Sequence, residues 1–250
     1  MPPAIPTPRS NRWILQLIVG ICLLLLLNGC ALWNSIFGGG EELTPAELMA
    51  DGMEEFNDGN FETAAEMFQK IKDRYPYSKY ATEAELRMAD AQYEKELFDE
   101  AYDGYTEFEK LHPRNPNIPY VMFRKGMCNF RRVSTIDRDQ SYTRKAQEDF
   151  ERLIKMHRRS PYAEKARRKV RECYIKLAEH EMYVGDFYFK MAKYRPAMER
   201  YLYLIEHYPD VGQYHESLEK IKICREKIAE TPEELSWWGR LTHSIHTIFN

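Results

Sequence analysis

Small, aromatic and proline residues recur along this chain at fixed offsets, and between them apolar and polar positions alternate with a helical period. Gly52, Ala64, Phe68 and Pro76 come first; Ala89, Ala101, Tyr105 and Pro113 repeat them, each 37 residues on. Gly185, Ala197, Tyr201 and Pro209 repeat the spacing again. Thr44-Pro45-Ala46-Glu47 opens the first helix as a capping box with proline in its first turn. That helix runs to about Phe56, Asn57-Asp58-Gly59-Asn60 turns, and the next covers Phe61 to Arg74. Helices over about 79–95 and Leu97 to Leu111 follow, and His112-Pro113 through Asn117 breaks the pattern.

A third pair carries Gly126, Ala146 and Phe150, with 20 residues between the two small positions where the first pairs have 12. The eight extra residues extend a turn around Val133 to Tyr142, and such insertions often sit on a binding face. Ser160-Pro161 starts a long helix through about Lys190, and another runs from about Gln213 to Ala229. Thr231-Pro232-Glu233-Glu234 then begins an amphipathic helix with Leu235, Trp238, Leu241, Ile245 and Ile248 on one face. The recurring positions describe a close helix crossing. Small residues let two backbones approach, the aromatic fills the wider gap one turn on, and proline ends the second helix. This is the pattern of the tetratricopeptide helix pair. The expected fold is an all-α tetratricopeptide-repeat superhelix of about five helix pairs, with repeats 1–3 in 44–158, repeats 4–5 in 159–230 and an amphipathic C-terminal helix in 231–250.

Ahead of the repeats, Arg9 and Arg12 precede an apolar run from Trp13 to Leu27, and Leu27-Asn28-Gly29-Cys30 closes it. A basic start, a short apolar core and a small residue before cysteine make a secretion signal over 1–29. Leu-x-Gly-Cys resembles the lipobox, in which the cysteine is lipidated and the peptide is cut before it. Cys30 is therefore the expected lipid attachment site, with 30–43 as a flexible tether through Gly38-Gly39-Gly40. A spanning helix is disfavoured because Asn28 and Gly29 would fall in its middle. By resemblance to lipoprotein sorting in Gram-negative bacteria, Ala31 after the cysteine lacks the aspartate that favours inner-membrane retention, which implies the periplasmic face of the outer membrane.

A formal charge of −3, moving to −5 once Arg9 and Arg12 are removed, argues against a generic nucleic-acid binder. The charge is segregated. Residues 41–110 hold 20 acidic against 7 basic residues, and 144–171 hold 11 basic against 4 acidic ones, which suits two surfaces for different partners. No phosphate-binding glycine loop, nucleophile elbow or zinc-protease motif is present, so the chain is expected to be no enzyme and to need no cofactor or metal. His243 and His246 lack neighbouring ligands and read as exposed helix residues. Cys128, Cys173 and Cys224 sit singly on helices and read as small core residues, a bridge between two of them remaining open. Tyrosines crowd repeats 1–3, and those on first helices of pairs suit an aromatic groove for an extended peptide, core packing being the competing reading for each.

Arg74-Tyr75-Pro76-Tyr77-Ser78, the run His112-Pro113 through Asn117-Ile118-Pro119-Tyr120-Val121-Met122 with Gly126, Asp137-Arg138-Asp139-Gln140 and Tyr208-Pro209-Asp210 carry a more specific likeness. With the lipobox, they resemble the BamD family of outer membrane protein assembly factors, lipoproteins of the β-barrel assembly machinery, over residues ~27–230. The resemblance implies an adaptor that binds the POTRA domains of the barrel insertase through its C-terminal half, alongside other assembly-machinery lipoproteins. It implies that the N-terminal repeats receive unfolded outer-membrane proteins. Arg200 matches the family's charged contact to the insertase, and Arg87, Tyr93, Tyr120 and Arg124 mark the expected substrate groove. The proline-rich start and the 231–250 tail have no counterpart in the resemblance. A periplasmic tetratricopeptide adaptor of the division machinery is the alternative, though such proteins usually lack a lipid anchor. A peptidoglycan hydrolase would need a catalytic domain for which the repeats leave no room.

Overall fold

The structure is a computed structural model that describes residues 42–209 and 212–230. The signal segment 1–29, Cys30, most of the tether, Asp210 and the tail 231–250 with His243 and His246 lie outside the described residues. The chain divides into two compact units, Met1–Glu47 and Leu48–Asn250. In the first, the capping box forms as expected: the Thr44 amide donates to Glu47 Oε2 at 2.8 Å, and the Glu47 amide donates to Thr44 Oγ1 at 3.3 Å.

Regular structure among the described residues is entirely α-helical: α1 (Pro45–Asn57), α2 (Phe61–Arg74), α3 (Ala81–Glu94), α4 (Phe98–Leu111), α5 (Ile118–Arg131), α6 (Ser141–Met156), α7 (Pro161–Lys190), α8 (Tyr194–His207) and α9 (Tyr214–Ala229). They form a tetratricopeptide-like array in which each helix packs on the next, with four pairs and α9 among the described residues. The bounds match the sequence reading to within a few residues. The third turn is shorter at its far end than expected, because Ser141 and Tyr142 already belong to α6.

The turn chemistry repeats with the sequence. Gly59 (φ +84°), Glu96 (φ 61°) and Ala192 (φ 55°) hold the same place after the first helix of pairs 1, 2 and 4. Each is followed by an amide that reaches back to the helix: Asn60 to the Glu55 carbonyl, Leu97 to that of Gln92 and Lys193 to that of Tyr188. This closure ends a helix on a left-handed residue, and only the first pair uses glycine for it. At the other end of the pairs, Tyr75, His112, His157 and Tyr208 share one conformation, φ −123° to −130° and ψ 50° to 54°. Proline follows three of them, and extended φ is what the residue before proline adopts.

Small residues do what the pattern requires of them. A Cβ on Gly52 would lie 2.7 Å from the Phe68 ring, on Gly126 2.5 Å from Phe150, and on Gly185 2.5 Å from Tyr201. The second pair divides the role, with Gly104 of α4 closing on Ala89 of α3. Buried side chains gather in three clusters, one around Phe68, a large one around Tyr105 and Phe150, and one around Tyr201 and Leu204. Helix α7 spans two of them: Ala166 and Cys173 join the large cluster and Met182 joins the last. Cys128, Cys173 and Cys224 are buried and unpaired. No helix among the described residues is long and apolar enough to cross a membrane.

Candidate protein-binding site

The four residues expected to mark a groove converge on a residue that the sequence reading passed over. Asp90 of α3 is 1% exposed. Its Oδ1 accepts from the hydroxyls of Tyr105 and Tyr120, each at 2.6 Å, and its Oδ2 accepts from Arg87 Nη1 at 3.0 Å. Arg124 of α5 donates from Nε to the Tyr105 hydroxyl at 3.0 Å and from Nη2 to Glu94 at 2.8 Å. Its guanidinium lies 3.7 Å from the centre of the Tyr93 ring, within the range where a cation is attracted by an aromatic face. Arg87 also pairs with Glu83 at 2.7 Å. Arg87, Tyr93, Tyr120 and Arg124 are thus brought together and tied to one another. Three carboxylates face two guanidiniums, so these side chains build a wall and hold no surplus positive charge for an acidic ligand.

Electrostatics follow from that closure. Burial, and after it the Asp90 carboxylate, pushes the Tyr105 and Tyr120 phenols far above the ordinary range. Burial alone would lower the Arg124 guanidinium, but the phenols and Glu94 around it raise it well beyond its usual value. A buried carboxylate with this many partners is costly to expose to the loss of any one of them.

The knot occurs twice. Asp186 accepts from Tyr201 at 2.7 Å and from Lys220, and Asp186, Tyr201 and Lys220 each lie 96 residues after Asp90, Tyr105 and Arg124. In both copies the aspartate directly follows the small residue of the first helix, and the cation comes from the first helix of the next pair. Pairs 1 and 3 carry Phe68 and Phe150 at the tyrosine position, and there Met53 and Met127 replace the aspartate. A buried phenol needs an acceptor and a phenyl ring does not. This pairing of Asp with Tyr and Met with Phe was present in the sequence as the signal for the missed residues.

A second polar seam joins α4, α5 and α6. Lys125, 4% exposed, donates to Glu109 at 3.0 Å, and Arg152 reaches the other oxygen of the same carboxylate. Arg200 on α8 is 46% exposed at its side chain and donates from Nη1 to Glu181 of α7 at 3.1 Å. The acidic partner it has here is its own neighbour. On the same face of α8, Tyr203 stacks on His207 with ring centres 3.9 Å apart. Tyr183 and Phe187 stand exposed on successive turns of α7, and Met191, just past its end, is exposed as well.

Residues 41–233 match the YfiO family, described as an outer membrane lipoprotein family. The chain belongs to this family. Among curated relatives, the outer membrane protein assembly factor BamD of Neisseria meningitidis serogroup A is 25% identical over 86% of this chain and 85% of its own length. The BamD of Vibrio cholerae is 25% identical over 74% of this chain and 80% of its own length. Among solved structures, the TPR2AB domain of yeast Sti1 aligns at 18% identity and a TM-score of 0.43, over 77% of this chain and 74% of that one. The segment between α5 and α6 is organised by Gln140, 2% exposed, whose amide donates to the carbonyls of Thr135 and Arg138 and accepts from Thr143. His180 of α7 contacts the Ile136 carbonyl at 2.5 Å and holds the loop to that helix.

Proposed function

We propose that this protein is a non-catalytic adaptor of the β-barrel assembly machinery at the outer membrane. The observation that carries the reading is membership of the outer membrane lipoprotein family over residues 41–233, with relatives named as outer membrane protein assembly factors. In this reading residues 1–29 are removed, Cys30 carries the lipid, and 30–43 tethers the repeats on the periplasmic face. The repeats in 44–158 receive unfolded outer-membrane proteins. The half from 159 to 230 binds the POTRA domains of the barrel insertase, and other lipoproteins of the machinery join the assembly. Exposure supports the second assignment: Arg200 and Tyr203 on α8, Phe187 on α7 and Met191 just past its end present charge and apolar surface together.

Co-purification from detergent-solubilised envelope tests the reading. A large β-barrel protein with tandem POTRA domains is the expected dominant partner, and its absence overturns the function. Arg200→Glu also sets a second carboxylate beside Glu181, and it is expected to cut recovery of that partner by about tenfold or more. Glu181→Gln releases Arg200 from its internal partner and is expected to preserve recovery. Undiminished recovery with Arg200→Glu removes the assigned contact and leaves the rest of the function standing.

A further inference from the structure

The turns that join the second pair to the third and the third to the fourth carry the same chemistry. Lys110-Leu111-His112-Pro113-Arg114 closes α4, and Lys155-Met156-His157-Arg158-Arg159 closes α6, each member 45 residues after its counterpart. His112 and His157 share one backbone conformation, and a hydrogen bond of 3.3 Å from Arg152 to Glu109 sets the ends of α4 and α6 side by side. The two turns therefore lie next to each other on one edge of the array. Leu111 and Met156 stand 54% and 56% exposed there, and Lys110, Arg114, Lys155, Arg158 and Arg159 are exposed around them. Among the described residues, none of these five side chains has an ion pair or a hydrogen bond. Carboxylates nearby are already used: Glu109 by Lys125 and Arg152, Glu85 by His112 and Glu164 by Arg167. An open recess of about 400 Å³ lies among Lys155 to Ser160.

The fold does not ask for these cations. A helix dipole favours a cation in its last turn, which would account for Lys110 and Lys155, but the first and fourth pairs hold Asp73 and Glu206 at that place. Tyr77 and Asp210 stand where the middle turns have Arg114 and Arg159. Arg158 takes the place of a proline. His157 before it already has the conformation that precedes proline in the other pairs, and the Arg158 amide donates no hydrogen bond. We infer that this edge sits against a membrane surface, with the five cations among the phosphate groups of an anionic phospholipid and Leu111 and Met156 entering the interface. Lysine and arginine beside an anionic leaflet, with apolar side chains between them, make an interfacial surface. A protein partner of fixed geometry would call for cations held in place, whereas these five are unrestrained, as suits a fluid layer of headgroups. The inference rests on the reading that Cys30 carries a lipid, since the 14 residues of 30–43 then keep the start of the repeats within about 50 Å of the headgroups.

The test uses the full-length lipidated protein with Met156→Cys carrying an environment-sensitive fluorophore, reconstituted in vesicles of phosphatidylcholine alone or mixed with phosphatidylglycerol. Cys128, Cys173 and Cys224 are buried and escape labelling. In the mixed vesicles the emission is expected to shift to the blue and to be quenched by nitroxide-bearing lipid, and in the neutral ones to stay that of a label in water. Raising salt from about 0.1 M to about 1 M, which shortens the screening distance from about 10 Å to about 3 Å, is expected to reverse the shift. Arg158→Pro combined with Lys155→Gln and Arg159→Gln is expected to lower the ratio of membrane-seated to free turn by about tenfold or more, with helical circular dichroism unchanged. A label at Leu111→Cys is expected to follow the one at Met156. Equal emission in neutral and mixed vesicles, or quenching that salt does not reverse, overturns the proposal. So does a shift in neutral vesicles on adding polyglutamate or inorganic phosphate, which assigns the edge to an acidic chain or a free anion. Flotation of the protein with neutral vesicles reports the lipid anchor alone, so loss of the anchor and loss of the edge contact are read apart.

Discussion

Asp186 and Tyr201 form the pair through which the chemistry of single side chains can be measured most cleanly, because Lys220 beside them is still 23% exposed at its side chain. Asp186→Met strands the buried Tyr201 hydroxyl and is expected to cost about 1–3 kcal/mol in thermal or urea unfolding. Tyr201→Phe is expected to cost about 1 kcal/mol, and the double variant, which reproduces the Met/Phe arrangement of pairs 1 and 3, less than the sum of the two. Strict additivity would remove the argument that the two residues are one unit. The cysteines make a plainer case. Burial pushes the thiols of Cys128 and Cys173 up to about 12 and that of Cys224 up to about 11. Native protein at pH near 8 is expected to react with thiol reagents only as fast as it unfolds, since the thiolate is the reactive form. Their core placement was legible from their lone positions on helical faces. The burial of Asp90 was not, since an aspartate on a helix normally faces water, and what overrides this are Tyr120 and Arg124, which arrive from another pair.

At the scale of elements, the pattern foresaw helices and crossings because proline and the small residues act locally, through a missing amide hydrogen or a missing side chain. The left-handed turn was visible at Gly59, whose residue type advertises it, and invisible at Glu96 and Ala192, where the closing hydrogen bonds impose it on residues that disfavour it. Ala192→Gly is therefore expected to stabilise the protein by up to about 1 kcal/mol, the relief of a left-handed backbone being partly offset by glycine's greater freedom when unfolded. A lower melting temperature for Ala192→Gly would show that the turn carries no such strain. The inserted loop follows a different logic. Its length could be counted in the sequence, but its anchoring by Gln140 and His180 depends on a carbonyl geometry that no residue pattern encodes.

For the whole molecule, the segregation of charge seen along the chain turns into contacts between pairs. Glu109, in the acidic stretch, meets Lys125 and Arg152, the latter from the basic stretch. Burial by itself would raise the Glu109 carboxyl, but hydrogen bonds from Arg152 and Lys125 outweigh it and hold it below its usual 4.5. A carboxyl whose folded value is depressed contributes stability that is complete above its unfolded value and is lost as pH falls through the folded one. Asp149 has the opposite sign, because burial raises it above its usual 3.8 despite the hydrogen bond from Asn129. Melting temperatures followed from about pH 7 to pH 3 should fall below pH 4.5, and less steeply in Glu109→Gln than in the wild type. Equal slopes would show that this seam is not what acid breaks.

By itself the sequence determined the helices, their pairing, the long α7, the extended third turn and the family, because all of these rest on local chemistry repeated at fixed spacing. It also named four of the residues around Asp90, by likeness and not by geometry. Only the tertiary structure decided that those four are tied to each other and that Arg200 has Glu181 as a partner. The reason is physical: a crossing is written in the residues that make it, whereas the state of a charge depends on which distant side chains the superhelix brings within about 4 Å of it.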